Sequence, residues 1–215
     1  MNAHTAPAFT STGDLVVASD AQHTVVVLAG ATGAVAHTFG AHGAGPLQFH
    51  WPLGVCVSRD DAIFVADHNN HRIQEVPRLG RGGAATLLGV GLVQQPHSVA
   101  LTPGEDGVVV RQNGGTNRVV VLARDGASIL RVLLTTADMT DGYWGLAVSR
   151  SGVVAGADSE QPWLVVSSGG GEWKRTIDAA ALGSPLGVHG AAFDARERLW
   201  TCDRAANCFV VMAPQ

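Results

Sequence analysis

Short runs of alternating apolar and polar residues, separated by polar turns, follow one another along this chain. The clearest set lies in residues 52–57, 62–66 and 72–76, with polar residues between the runs. Alternation with a period of two is typical of a half-buried β-strand, and short polar turns between such runs join strands into hairpins. The pattern therefore predicts antiparallel β-strands.

This succession of runs recurs at a regular spacing. Pro52, Pro96, Tyr143 and Val188 begin equivalent first strands, which gives a period of roughly 45 residues. One four-stranded sheet cannot cover both of its apolar faces, whereas sheets stacked around an axis cover each other. We therefore predict an all-β fold, a β-propeller of five repeats with an incomplete last blade, in one domain at 1–215.

The other strands of each repeat align in the same way. Second strands are predicted at 62–66, 107–110, 152–155 and 198–201; third strands at 72–76, 118–121, 163–166 and 208–212; fourth strands at 84–88, 128–134 and 174–177; and a first repeat at 8–9, 14–18, 24–28 and 34–39. The fifth repeat stops after its third strand. The chain is thus either a five-bladed ring with an incomplete last blade or part of a six-bladed ring.

Composition narrows the range of partners. The 14 Lys and Arg residues are outnumbered by 18 Asp and Glu residues, whereas proteins that bind the nucleic-acid backbone carry an excess of positive charge. We therefore do not expect a nucleic-acid partner. No window has the roughly 18 continuous apolar residues of a membrane span, and the N-terminus lacks the pattern of a signal peptide. We expect no membrane association and, by default, a cytoplasmic location.

The second repeat resembles a known family, the NHL repeat, nearly position for position. The residues that carry the resemblance are Gly45-Pro46-Leu47-Gln48-Phe49, Pro52-Leu53-Gly54-Val55-Cys56-Val57, Ile63-Phe64-Val65-Ala66-Asp67 and Asn70-His71-Arg72-Ile73-Gln74. The resemblance implies a propeller, commonly six-bladed. It implies no single activity.

The polar residues of this motif have a structural interpretation. Asp67, at the end of a strand, can accept hydrogen bonds from the following turn, and Asn69 or Asn70 tolerates the left-handed conformation that a tight tip needs. Arg72 can hold its guanidinium near Asp67. Three aromatic residues are expected to fill the space between blades: Trp51, Trp144 and Trp200. The alternative is that an inner-strand Trp near a rim lines a pocket.

Two histidines are candidate metal ligands. His97 and His189 occupy the same position of the first strand in the third and fifth repeats, and the first strands of a propeller line its central channel. Imidazoles from alternate blades could converge on a divalent metal, and zinc suits nitrogen ligands. The alternative is that both are buried histidines bonded to backbone carbonyls. His37, His42, His50, His68 and His71 fall in turns or loops and are expected to be solvated.

The two histidines resemble the metal-binding positions of peptidyl-hydroxyglycine amidating lyase, another propeller of similar repeats. The resemblance implies a third histidine at the position that Thr5 occupies here, one place from His4, and an Arg at a hairpin tip, for which Arg111 is the candidate. The Tyr of that family has no counterpart at the tip 67–71.

Common catalytic motifs such as GxSxG, the P-loop and HExxH are absent from the sequence. Our first hypothesis is therefore a non-catalytic NHL-repeat propeller that binds a protein or peptide at a loop rim or channel mouth, with no cofactor. The alternative is a divalent-metal-dependent lyase or hydrolase that uses His97 and His189 to hold zinc, with calcium as a second candidate metal.

Overall fold

The computed structural model describes residues 7–80, 82–135, 145–157, 164–172, 174–177, 188–203 and 208–212. These residues form five antiparallel sheets that follow one another along the chain, four with four strands and the last with three. The prediction of an all-β fold with five repeats is confirmed. Among the described residues, no helix has the length and apolar character needed to cross a membrane.

The first sheet contains β1 (Ala8–Phe9), β2 (Leu15–Ser19), β3 (Thr24–Leu28) and β4 (Val35–Phe39); the second contains β7 (Pro52–Val57), β8 (Ile63–Asp67), β9 (Arg72–Val76) and β10 (Thr86–Leu88); the third contains β11 (Pro96–Leu101), β12 (Gly107–Gln112), β13 (Arg118–Ala123) and β14 (Ile129–Leu134); the fourth contains β15 (Leu146–Val148), β16 (Val154–Ala157), β17 (Leu164–Ser167) and β18 (Lys174–Ile177); and the fifth contains β19 (Val188–Phe193), β20 (Leu199–Asp203) and β21 (Cys208–Met212). The expected positions Tyr143, Trp144 and Trp163 lie outside the described residues.

The segment between the first two sheets, residues 40–51, is called the connector here. Two of its short pieces, β5 (Ala41–His42) and β6 (Gln48–Phe49), pair in parallel. No sequence pattern predicted this pair, because two residues are too few to show a period. A 3₁₀ turn at His68–Asn70 joins β8 to β9 beside it.

Within the described part of the chain, the apolar core consists of four clusters, each between two neighbouring sheets. Between the second and third sheets, Phe64 and Ile73 pack with Val99, Val110 and Leu122. Every residue of β8 and β12 is buried, whereas in β2 buried and half-buried residues alternate. The middle sheets are therefore covered on both faces, as the stacking argument requires.

The turn between the first and second strands is built in the same way in all five sheets. It begins at Thr10, Ser58, Thr102, Ser149 or Asp194, whose side-chain oxygen accepts a backbone N–H from the far side of the turn. Ser, Thr and Asp stabilise turns in this way because their short side chains reach the nearby backbone.

A carboxylate joins these turns across three of the sheet interfaces. The Asp61 carboxylate accepts from Ser11 N at 2.6 Å, Glu105 accepts from Arg59 N at 2.9 Å, and Glu197 accepts from Arg150 N at 3.0 Å. Each acid takes a positive φ in its turn. We call each of these contacts a carboxylate clasp.

The interface between the third and fourth sheets lacks such a clasp in the described structure. At this interface Pro103 occupies the turn position that supplies the N–H donor in the other clasps, and proline has no N–H. Gly152 occupies the turn position of the acids and has no side chain. A cavity of about 340 Å³ opens there, and Arg131, Asp106 and Glu172 are among its lining residues. The donor and the acceptor of the clasp are thus missing together.

Candidate functional site

A buried polar network lies where β8 ends. The side chain of Asp67 has no exposure, and Arg72 Nε donates to its Oδ2 at 2.8 Å. Asn70 Nδ2 lies 3.0 and 2.9 Å from the two carboxylate oxygens, and Gln74 Nε2 donates to Oδ2 at 3.0 Å. A buried carboxylate needs this degree of pairing, because an unpaired charge in the interior is costly.

The same network holds the connector. Arg72 donates through Nη1 to Ala44 O at 2.7 Å and through Nη2 to Gly45 O and Gln48 O at 2.9 and 3.0 Å. Gln74 Nε2 donates to Gln48 O at 2.6 Å. One guanidinium therefore satisfies three backbone carbonyls of a segment that has little regular structure of its own.

The tip beside this network differs in one detail from the sequence prediction. Neither Asn69 nor Asn70 takes the left-handed conformation; His71 does, with φ 55°. Asn70 instead turns its amide to Asp67 and to Gly43 O. The 3₁₀ turn occupies residues 68–70, so the left-handed residue comes one position later, at the end of that turn.

Three histidine rings meet at this end of the first two sheets. His23 lies in the turn between β2 and β3, His42 in β5, and His50 just before β7. The ring centroids are 4.6 Å apart for His23 and His42, 4.9 Å for His42 and His50, and 5.8 Å for His23 and His50. The Asp67 network places one member, because His50 N donates to Asp67 Oδ1 at 2.7 Å.

The surroundings of His23 favour its neutral form. Burial lowers the pKa of His23, and the neighbouring His42 and His50 lower it further, whereas Asp20 and Asp67 oppose the shift. The backbone N–H of Trp51 donates to His23 Nδ1 at 3.2 Å. A ring that accepts at Nδ1 carries its proton on Nε2, so this contact fixes the tautomer.

Trp51 stands beside the cluster and was expected to fill the space between blades. That expectation is wrong, because its side chain is 51% exposed. Its φ is 58°, which turns the residue out of the strand alternation that begins at Pro52. Leu47, also at positive φ, is 37% exposed in the same connector. We call the surface formed by His23, His42, His50, Trp51 and Leu47 the rim.

The contact between His23 and Trp51 has a counterpart one repeat further on. His71 Nδ1 accepts from Gln95 N at 3.0 Å, and all four residues have positive φ. In both cases the histidine directly precedes the third strand of one sheet, and the donor directly precedes the first strand of the next. We call each of these contacts a histidine latch.

The predicted metal ligands lie in the first strands, apart from the rim. His97 is 1% exposed in β11, and its ring centroid is 6.2 Å from that of His68. The side chain of His189, in β19, lies outside the described residues. In the described part of the chain, no three His, Cys, Asp or Glu side chains are arranged to hold a metal ion. His97 alone does not make a metal site, so zinc and calcium binding stay predictions.

His68 was expected to be solvated. It is half-buried, its Nδ1 lies 3.3 Å from Pro96 O, and burial lowers the pKa of its ring. This expectation is wrong because the tip at residues 68–71 packs against the third sheet. No sequence pattern indicated the histidine cluster either, since its members are separated by connector and turn residues without a period.

The family model described as NHL repeat matches residues 49–75, which include Asp67, Asn70 and Arg72. The second sheet of this chain therefore carries an NHL repeat, and the predicted resemblance is confirmed for that segment. No curated protein matches the sequence.

Solved structures share the fold. A chain of a nidogen/laminin complex has a TM-score of 0.77 and 13% identity, with coverage of 96% of this chain and 74% of that one. A gluconolactonase from Xanthomonas campestris has a TM-score of 0.74 and 19% identity, with coverage of 95% and 70%. A virginiamycin B lyase from Staphylococcus aureus has a TM-score of 0.65 and 12% identity, with coverage of 99% and 71%. At these identities the likeness shows the propeller-type fold alone.

Proposed function

We propose that this chain is a protein- or peptide-binding propeller and that the rim is its contact surface. The observation that carries the proposal is Trp51, a large aromatic side chain that is half exposed while its backbone is held at positive φ. Trp is enriched among the residues that dominate binding energy at interfaces. Non-glycine residues at positive φ also concentrate at functional sites, where the surrounding structure maintains them.

The surroundings of Trp51 support this role. Asp67 and Arg72 fix the connector through hydrogen bonds to its backbone. His23 accepts a hydrogen bond from the backbone N–H of Trp51. A surface that is ordered before it binds loses less entropy on association. Leu47 extends the apolar part of the rim, and the histidines supply hydrogen-bonding groups around it.

One structural neighbour agrees with this proposal. The nidogen/laminin complex, by its description, is an assembly of proteins that contains a chain of this fold. Fold alone does not fix function, so the argument for this chain rests on the rim.

The test is a peptide selection followed by affinity measurement. Peptides are selected from a random display library on the purified chain, and the Kd of the best peptide is measured by fluorescence anisotropy. Trp51→Ala should weaken binding by at least about tenfold, the usual loss at a central aromatic residue.

The matched control is Phe9→Ala, which removes an aromatic side chain that is 67% exposed in β1. It should leave Kd unchanged, and both variants should keep the unfolding midpoint of the parent. Equal Kd values for the parent and Trp51→Ala, or a selection that enriches no peptide, would show that the rim is not a binding surface.

A second candidate function is the metal-dependent lyase or hydrolase. It is favoured by the burial of His97 in a first strand next to His68, and structural neighbours include a gluconolactonase and a lyase. Elemental analysis of the purified chain tests it. Stoichiometric zinc or calcium that is lost in a His97→Ala, His189→Ala double variant would support the enzyme. Parent protein that retains neither metal after exposure to both would exclude it.

A further inference from the structure

Each histidine latch depends on the protonation state of its own histidine. In each, a backbone N–H of one sheet is accepted by Nδ1 of a histidine in the sheet before it, His23 for Trp51 and His71 for Gln95. A neutral imidazole can accept at Nδ1, whereas both nitrogens of the protonated ring are donors. Each contact therefore exists only while its histidine is neutral.

The groups around His23 also favour its neutral form near pH 7. The groups that face it are His42 in β5, His50 at the end of the connector, Asp20 in its own turn, and Asp67 at the end of β8. Asp67 is already paired with Arg72, so its charge is largely compensated. The ring centroid of His23 lies 4.6 Å from that of His42 and 5.8 Å from that of His50, so a proton on His23 would lie close to two other imidazoles.

The direction of the pH effect follows from these contacts. Burial and the neighbouring histidines lower the pKa of His23 in the folded chain from its ordinary value of about 6.5. The unfolded chain therefore binds this proton more readily than the folded one. The latch contributes its full stability above that ordinary value, and the contribution is lost as the pH falls below it.

We propose that the rim is a pH-controlled binding surface. Near neutral pH, His23 holds Trp51 at positive φ and half exposed. In mild acid the protonated His23 ring releases the Trp51 N–H, and the ordered presentation of Trp51 is lost. Loss of the latch in acid does not require a partner. Release of a partner in acid does, and that consequence rests on the proposed function.

The release itself is measured without a partner. The chain is labelled with ¹⁵N-tryptophan, which gives five backbone amide signals from its five tryptophans, and Trp51→Phe identifies the Trp51 signal. That signal should shift between about pH 8 and pH 5, with a midpoint below about 6.5. His42→Gln and His50→Gln should each move the midpoint to higher pH, because each removes a neighbour that lowers the pKa of His23.

The matched pair of variants is His23→Asn and His37→Asn. Asparagine tolerates positive φ at position 23 and does not titrate, so His23→Asn should abolish the Trp51 shift. His37 is exposed in β4, and its replacement should leave the shift intact. A pH-independent Trp51 signal in the parent, or an unchanged shift in His23→Asn, would overturn the proposal.

Two further measurements separate the alternatives. A Trp51 shift that follows added zinc and is reversed by a chelator at constant pH would assign the cluster to metal binding and overturn the proton switch. The parent should bind the selected peptide at least about tenfold more weakly at pH 5 than at pH 7.5, and His23→Asn should lose this pH dependence. If no peptide binds, the amide titration still decides the switch on its own.

Discussion

At the residue scale, one buried ion pair determines the shape of the rim. Arg72 and Asp67 are almost fully buried, with side chains 7% and 0% exposed. The remaining guanidinium nitrogens donate to carbonyls of the connector. A lysine could not make these contacts, because it has a single nitrogen and no planar fork.

Removing Arg72 should therefore destabilise the chain strongly. Arg72→Gln leaves the Asp67 carboxylate buried without its counter-charge, which costs about 3–5 kcal/mol. Urea unfolding followed by circular dichroism measures the change. Arg59→Gln is the matched control, because Arg59 pairs with Glu105 at 3.8 Å while 77% exposed, and it should cost less than about 1 kcal/mol. Equal losses for the two variants would contradict the structural role of Arg72.

Single residues also show how far the sequence could predict the site. The pair Asp67 and Arg72 was predictable because the two flank one hairpin tip, where chain geometry brings them together. The exposure of Trp51 was not, because it depends on a positive φ at residue 51 that no turn motif indicates. His23 and His50 meet only because an irregular connector folds back over the first sheet, and local periodicity carries no information on such a contact.

At the scale of the strands and turns, the carboxylate clasps show how neighbouring sheets are joined at the end opposite the rim. The acids at 61, 105 and 197 occupy equivalent turn positions and accept N–H groups from the turn before them. The strands themselves were predictable to within a few residues, since their apolar alternation is local. The clasps were not, because each joins two turns that lie 46 to 50 residues apart in the sequence.

The missing clasp between the third and fourth sheets can be supplied by two substitutions. Pro103→Ser restores the N–H, and Gly152→Glu adds the carboxylate at a position where an added Cβ meets only Pro103 Cγ, at 3.8 Å. Each change alone should be neutral or destabilising, because φ at Gly152 is 89°. Together they should show a favourable coupling of about 1 kcal/mol in a double-mutant cycle measured by urea unfolding.

The control for this cycle replaces Gly152 by Ala in the Pro103→Ser background. It introduces the same backbone restriction without an acceptor, so its coupling should be close to zero. A coupling of the same size in the alanine cycle would mean that the effect comes from the backbone and that the carboxylate does not form a clasp.

At the scale of the whole molecule, the sheets form a stack in which each one depends on its neighbours for burial. The apolar clusters lie between sheets 1 and 2, 2 and 3, 3 and 4, and 4 and 5. In repeat proteins of this kind, stability is approximately the sum of the units and their nearest-neighbour interfaces. A unit covered on both faces should therefore open less often than one covered on a single face.

Amide hydrogen exchange should reveal this gradient. β8 and β12 bury every residue, so their amides should exchange last, whereas β4 and β18, in which nearly every residue is exposed, should exchange first. Peptide-resolved mass spectrometry measures the order, and β2 provides the internal reference because it is a second strand with alternating burial. Because β2 is paired on both sides, as β8 and β12 are, equal exchange in β2 and β8 would show that protection follows strand pairing within a sheet and not the packing between sheets.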